Sequence, residues 1–359
     1  MQEGVLLPHN SARYSFQHVQ GEILACAVAR EVIDGRSRWT TSPRPMVATN
    51  HSQPFAHEPV MVDEVVALIA AIPAGHLLDA TVGGGGHSEA LLESRSDVII
   101  TGLDRDPAAL AAANARLERF GDRIRLRRTR FDALGDVLAE LGAPVLSGFL
   151  FDLGVSSPQL DVAERGFSFR NDGPLDMRMD PDATMTAADV VNSYAQDRLA
   201  RVLRRHSDER FAPRIARAIV DARPIERTAR LAEVIVSAIP AAARRTGGHP
   251  ATRTFQAIRI EVNDELQVIE PALQAALDAL CVGGRGLVLT YHSGEDRIVK
   301  DVFRRRSASV DPPGLPVVVS SPEFSPIRPM ARRPSAEELA RNPRAGSARL
   351  RAIERLSAA

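Results

Sequence analysis

The chain has 359 residues, enough for one large domain or two medium ones with a sizeable buried core, and its 45 basic and 45 acidic side chains cancel, so no global field advertises a nucleic-acid or membrane partner. Two cysteines, Cys26 and Cys281, without Cys-x-x-Cys or Cys/His spacing argue against a disulfide framework or a zinc site. The N-terminal apolar run, residues 23–29, is too short for a signal sequence or a membrane span, so a cytoplasmic protein is expected.

Residues 1–55 lack periodicity and are expected to form a poorly ordered N-terminal extension, with Met46 as a candidate initiator inside it. From His57 the pattern sharpens. A helical stretch, 61–72, precedes strands expected at 77–81, 98–104, 124–129, 148–154 and 286–292, and a helix at 107–120 opens on Pro107, where a missing N–H is harmless. Near-continuous apolar strands alternating with helices predict a parallel sheet covered on both faces. Between the fourth and fifth strands the usual short crossover is replaced by residues 160–268, with helical patterns at 197–206, 209–222, 228–239 and 255–269. That is too long for a loop and predicts an inserted helical domain over the carboxyl edge of the sheet. A helix at 295–306 follows, then a Pro-, Ser- and Arg-rich segment from 307 with a short apolar run at 317–319. From Arg297 onward 13 bases face 6 acids, which suits a phosphate-facing segment or a solvated basic tail.

The most informative stretch is 76–106. An apolar run ending in Asp79 leads into four glycines, 83–86, then a helical pattern, then an apolar run ending in Asp104. Glycines let the backbone pass close under a ligand, the helix N-terminus beyond them offers free N–H groups to an anion, and an acid about 20 residues on is placed to accept hydrogen bonds from a ribose diol. The dinucleotide fingerprint needs a glycine where this chain has Ser88. Asp79 four residues before Gly83 looks instead like the first motif of class I S-adenosylmethionine methyltransferases. At the fourth strand end, Asp152 with the turn Gly154-Val-Ser156-Ser157-Pro158-Gln159 stands where such enzymes hold donor and acceptor together. Asp152 is read there either as an acceptor for an exocyclic amine or as a structural or cofactor-contacting acid.

The blocks Asp-Leu-Gly-Val-Ser-Ser-Pro-Gln-Leu-Asp (152–161), Glu-Arg-Gly-Phe-Ser-Phe (164–169) and Asp-Gly-Pro-Leu-Asp-Met-Arg-Met-Asp (172–180) resemble the bacterial ribosomal RNA small-subunit methyltransferase H family. So do Glu-Arg-Phe-Ala (209–212), His-Pro-Ala-Thr-Arg-Thr-Phe-Gln-Ala (249–257), Arg-Ile-Glu-Val-Asn-Asp-Glu-Leu (259–266) and Glu-Asp-Arg-Ile-Val-Lys (295–300). The resemblance runs from about His57 to the C-terminus. It implies an α/β fold, the Rossmann-like doubly wound sheet of class I methyltransferases with an inserted helical domain. The cofactor-binding domain would comprise residues 56–159 and 269–359, with a substrate-recognition insert at 160–268. It further implies S-adenosyl-L-methionine as cofactor, 16S rRNA in the small ribosomal subunit as partner, no metal, and methylation of a cytidine N4 in the decoding centre. Carried over by position, cofactor contacts fall on Gly85, Gly86, His87, Asp104, Phe131, Asp152 and Gln159, and candidate catalytic residues on Asp152 and His292. Asp132 is an alternative polar contact on the adenine side.

Two positions depart from the family pattern. Val82 stands where phenylalanine is usual, and Gly294 replaces a leucine in Tyr291-His292-Ser293-Gly294-Glu295-Asp296-Arg297, which is expected to loosen that turn and weaken a role for His292. Arg178 and Arg253 are candidates for holding RNA backbone, or for ion pairs with Asp176, Asp180 or Glu261. An aromatic base-stacking platform is not visible in the sequence, and an apolar face of the insert is a candidate homodimer contact. The alternatives are a class I methyltransferase acting on another RNA, a small molecule or a protein, and a nucleotide-sensing or RNA-binding module that has lost catalysis.

Overall fold

The computed structural model describes residues 59–142, 145–245, 248–308 and 322–357. The expectations for 1–55, Met46 and 317–319 lie outside the described residues. In chain order the elements are α1 (Val62–Ile69), β1 (Gly75–Asp79), α2 (Gly86–Ser94), β2 (Val98–Asp104), α3 (Pro107–Leu117), β3 (Ile124–Arg128), α4 (Leu134–Glu140), β4 (Leu146–Asp152) and α5 (Ser157–Asp161). They continue with α6 (Ala187–Ser193), α7 (Gln196–Ser207), α8 (Ala212–Asp221), α9 (Thr228–Ala238), α10 (Thr252–Asn263), α11 (Ile269–Asp278), β5 (Leu280–Thr290), α12 (Ser293–Arg306), β6 (Phe324–Pro326), α13 (Ala336–Arg341) and β7 (Arg349–Arg355). None of the described helices is long and apolar enough to cross a membrane.

The strands form one sheet in the order β3-β2-β1-β4-β5-β7-β6. The chain builds outward from β1 to β3, then returns to lay β4 on the other side of β1, so the winding direction reverses between β1 and β4. In open α/β sheets that reversal leaves a crevice at the carboxyl ends of the strands. β4, Leu-Ser-Gly-Phe-Leu-Phe-Asp, is buried from its first residue to its sixth and emerges only at Asp152, as a strand covered on both faces must be. One face of the sheet packs on α11 and α12 through Phe149, Phe151, Leu273, Leu277, Val299 and Val302. The other packs on α1, α2 and α3 through Ile69, Leu91, Leu117, Leu287 and Leu350. A third apolar cluster draws its buried residues only from 167–262, so α6 to α10 have a core of their own.

The sequence expectation fails in three places. The sheet is not wholly parallel: β7 runs antiparallel between β5 and β6. The helix expected over 255–269 is two helices, because Asp264 takes a left-handed conformation (φ 55°) after α10. The side chain of Asn263 accounts for the stop. It accepts from Met179 N–H at 2.8 Å and donates to the Met177 carbonyl at 2.7 Å, tying the helix end to a neighbouring loop. The basic C-terminal segment, finally, is not wholly a solvated tail in its described part: Arg328 and Arg333 are exposed, but Arg344, Arg349, Arg351 and Arg355 are each spent on a carboxylate. Arg351 Nε and Nη2 donate to Asp296 at 2.7 and 3.1 Å, Arg349 Nη1 donates to the same carboxylate at 2.9 Å, and Arg344 Nη1 donates to Asp161 at 3.0 Å.

Burial alone would raise the Asp296 carboxyl, yet the two arginines outweigh it and hold it below its ordinary value. Replacing Asp296 with alanine strands a buried guanidinium on β7. The expected result is a loss of about 3 kcal/mol or more, read as a lower urea midpoint; an unchanged midpoint would show that the pair does not hold this edge.

Candidate functional site

The adjacent strands β2, β1 and β4 each end in an aspartate, and the surroundings give each a different task. Asp79 is buried; its Oδ2 accepts from Ser88 Oγ at 2.6 Å and its Oδ1 from Thr81 N–H at 3.2 Å, and burial pushes its carboxyl up. It clamps the glycine turn to α2. Asp104 accepts from Gly83 N–H (2.9 Å) through Oδ2 and from Asp106 N–H (2.9 Å) through Oδ1. Burial outweighs those two donors and lifts its carboxyl to about 6. Asp152 Oδ1 accepts from the Tyr291 hydroxyl at 2.7 Å, and Oδ2 lies 3.6 Å from His87 Nδ1. Burial and the Asp152 charge push the Tyr291 hydroxyl well above its ordinary value, so it stays protonated and donates.

Between β1 and α2 the turn bends through left-handed conformations at Gly83 (φ +52°) and Gly85 (φ +81°), where side chains are strained. Gly83, Gly84 and Gly86 line a cavity of about 540 Å³ at the strand ends. Gly85 does not; a Cβ there would meet Leu117 at 3.0 Å, so its role is the close approach of α2 to α3. His87 is buried, and its Nε2 donates to the Val60 carbonyl at 2.9 Å, which leaves Nδ1 facing Asp152.

Phe131 begins the turn after β3, lines the cavity and meets Phe151 edge-on (centroids 5.6 Å apart). Asp132 is turned away to Arg130, whose Nε donates to it at 2.7 Å, and it does not line the cavity. Gln159 accepts from Ser156 N–H (3.1 Å) and donates to Asp106 Oδ2 (3.0 Å), the oxygen that also takes Arg165 Nη1 at 2.7 Å. Since Asp106 also caps α3 at Ala108 N–H (3.0 Å), this carboxylate joins the β2 tip to the segment entering the helical insert.

His292 caps α12. Its Nδ1 accepts from Gly294 N–H (3.2 Å) and Glu295 N–H (3.4 Å), and Glu295 Oε2 accepts in return from the N–H groups of Tyr291 (2.7 Å) and His292 (3.2 Å). This reciprocal box is not a loosened turn. A Cβ on residue 294 would stand 3.1 Å from His292 Nδ1, so the glycine gives the imidazole room. His292 also lines the cavity.

Opposite the glycine turn, the cavity wall comes from the residues after β4 and from α10. Arg259 donates twice to Glu265, at 2.8 Å each, and both line the cavity with Phe167, Phe169 and Phe255. Burial works against the Arg259 charge, but Glu265 prevails and raises its pKa. Tyr291, Arg259, Glu265 and Phe169 lie inside the family motifs, but nothing in their local sequence assigns them a task. The two arginines that were candidates for RNA contact part company. Arg178 is spent on Asp176 (2.8 and 2.7 Å) and on the carbonyls of Pro181 and Ala183, whereas Arg253 is exposed on α10 with no ion-pair partner among the described residues.

Residues 54–356 match the model of the MraW methylase family. Among curated proteins, the chain is similar to the ribosomal RNA small subunit methyltransferase H of Mycobacterium sp. (strain KMS), 51% identical over 336 residues that cover 90% of each chain. It is 52% identical to the protein of that name from Mycobacterium tuberculosis (strain ATCC 25618 / H37Rv) over 318 residues, 84% of this chain and 80% of the relative. A solved rRNA methylase from Streptococcus thermophilus aligns with 82% of this chain and 95% of its own at 12% identity, with a TM-score of 0.39.

The Asp104 carboxyl gives a pH signature. If Asp104 holds the ribose diol of a bound nucleoside, the hydroxyls must donate to an ionised carboxylate, and below its pKa binding must first expel a proton. Affinity for S-adenosylhomocysteine, measured by calorimetry, should fall as pH drops through about 6, approaching roughly tenfold per pH unit. Asp104→Asn should be weak and flat over that range. A wild-type affinity that does not change between pH 7 and pH 5 would remove Asp104 from ligand recognition.

Proposed function

The chain belongs to the MraW methylase family, and we propose that it transfers a methyl group from S-adenosylmethionine to the exocyclic N4 of a cytidine in the decoding centre of 16S rRNA. The observation that carries this reading is a single cavity that brings the glycine turn, Asp104, Phe131 and Asp152 together with the inner wall of the helical insert. Its volume is within the range of small-molecule and cofactor sites. The curated relatives are named for ribosomal RNA of the small subunit at half identity over most of the chain, which supports the substrate class.

The residues present fit the cofactor. Gly83, Gly84 and Gly86 expose backbone at the N-terminus of α2, where free N–H groups and the helix dipole suit a carboxylate. Asp104, already polarised by two N–H donors, takes the ribose hydroxyls, and Phe131 offers a ring to the adenine. When bound, the sulfonium supplies an activated methyl group. Gln159 and His87 act by holding the shape: the amide is committed to Asp106 and Ser156, and the His87 Nε2 proton to the Val60 carbonyl.

Asp152 is the residue best placed to act on the acceptor. The lone pair of a cytosine amine is delocalised into the ring; a carboxylate accepting one of its N–H bonds localises that pair. Tyr291 fixes the rotamer of Asp152 through the 2.7 Å hydrogen bond. The segment 160–268, with its own core, serves as the substrate-recognition domain and closes over a base splayed out of its strand.

The test is labelled S-adenosylmethionine with small ribosomal subunits from a strain lacking the modification, followed by nuclease digestion and mass analysis of the cytidines. Label on one cytidine N4 is the expected result. Label absent from rRNA would favour a class I methyltransferase acting on another RNA or a small molecule. Asp152→Ala should lower kcat by roughly 10²–10³, with Tyr291→Phe falling between it and wild type.

A further inference from the structure

The insert presents an arrangement of rings that cofactor binding does not use. Phe169 lies face to face with His249, centroids 4.3 Å apart and planes 29° from parallel, and meets Phe255 edge-on at 5.0 Å. Phe255 is buried and Phe169 half-buried, and both line the cavity; His249 is exposed. The histidine is held in place, because Ala251 N–H donates to its Nδ1 at 3.2 Å. This is not a core histidine: one face of the imidazole rests on Phe169 and the ring remains open to solvent.

Two cations flank these rings. Arg170 follows Phe169, is exposed and lines the cavity, and Arg253 is exposed one turn after His249; neither has an ion-pair partner among the described residues. Their neighbours are committed: Arg165 to Asp106, Arg178 to Asp176, Arg227 to Asp172, Arg259 to Glu265. Two exposed guanidiniums near in sequence to a braced, exposed aromatic ring match what a single-stranded nucleic acid offers, a base with a π-face and a phosphate on either side.

We propose that His249, backed by Phe169 and flanked by Arg170 and Arg253, is a stacking ledge for an unpaired base of the RNA strand adjoining the target nucleotide. The inference deepens the reading of the preceding section and rests on its RNA substrate. A base stacked at the cavity rim fixes the strand while its neighbour enters the cleft. That supplies register without the sheet-borne aromatic platform found in other RNA readers.

The experiment uses the full chain with small subunits lacking the modification, and with single-stranded oligoribonucleotides carrying the target and an abasic site scanned through the flanking positions. His249→Ala should raise KM for the RNA on the order of tenfold, the usual worth of one base–aromatic stack. The effect should appear in KM rather than kcat, with S-adenosylhomocysteine affinity unmoved. His249→Tyr should restore binding. At one flanking position the abasic substitution should weaken wild type by a similar factor and abolish its advantage over His249→Ala. Arg170→Gln and Arg253→Gln should each lower the slope of log affinity against log salt by about 0.7.

An unchanged KM in His249→Ala overturns the ledge while leaving the methyltransferase reading intact, as does a loss that His249→Tyr fails to repair. An abasic scan on wild type with no sensitive neighbour overturns it without any variant. Should wild type label no rRNA at all, both readings fall together.

Discussion

Parallel strands that end side by side at a switch point bring their terminal side chains together. When three of those are carboxylates, the structure must supply fixed donors or lose the charges. Asp79, Asp104 and Asp152 are met by different donors: a serine hydroxyl and a backbone N–H, two backbone N–H groups, and a tyrosine hydroxyl. The rest of the site is arranged around those donors. The glycine turn must bend so that Gly83 N–H reaches Asp104, which is why the backbone there is left-handed. β5 must end beside β4 so that Tyr291 reaches Asp152, and Leu289 pairs with Asp152 in the sheet register.

Asp106 extends this network outward. One carboxylate caps α3, takes the amide of Gln159 and takes the guanidinium of Arg165. Arg165 in turn donates to the carbonyls of Arg178 and Met179, and Asn263 bonds to Met177 and Met179 from the end of α10. A short chain of hydrogen bonds thus runs from the β2 tip, past the cavity, to the helices of the insert. These bonds, made by side chains whose burial makes a vacancy costly, give the insert a defined geometry on the sheet.

How much of this is readable in the sequence depends on the range of each interaction. β2 and β4 are continuous apolar runs ending in an acid, and the turn between β1 and α2 is spelled by consecutive residues, so the strand-end wall of the cleft was legible. The first half of β5 was not, because Gly283, Gly284 and Arg285 break the apolar run; nor was β7, whose alternating arginines look solvated until Asp296 is brought against them. The break after α10 is set by an asparagine bonded to residues more than eighty positions away. Tyr291 with Asp152 and His249 with Phe169 are likewise pairs between distant segments, so the motifs that contain them state their presence without stating their task.

Charge follows the same logic. A chain with equal numbers of acids and bases has no long-range field to draw in a polyanion. In this protein many arginines, including those of the C-terminal segment that look free in the sequence, are spent on ion pairs inside the fold. What is left is local: Arg170 lines the cavity and Arg253 is exposed on α10, neither with an ion-pair partner among the described residues. Contacts of that kind act only within about a Debye length, roughly 8 Å at physiological salt, so they select for a strand already presented at the cleft rather than for nucleic acid at large.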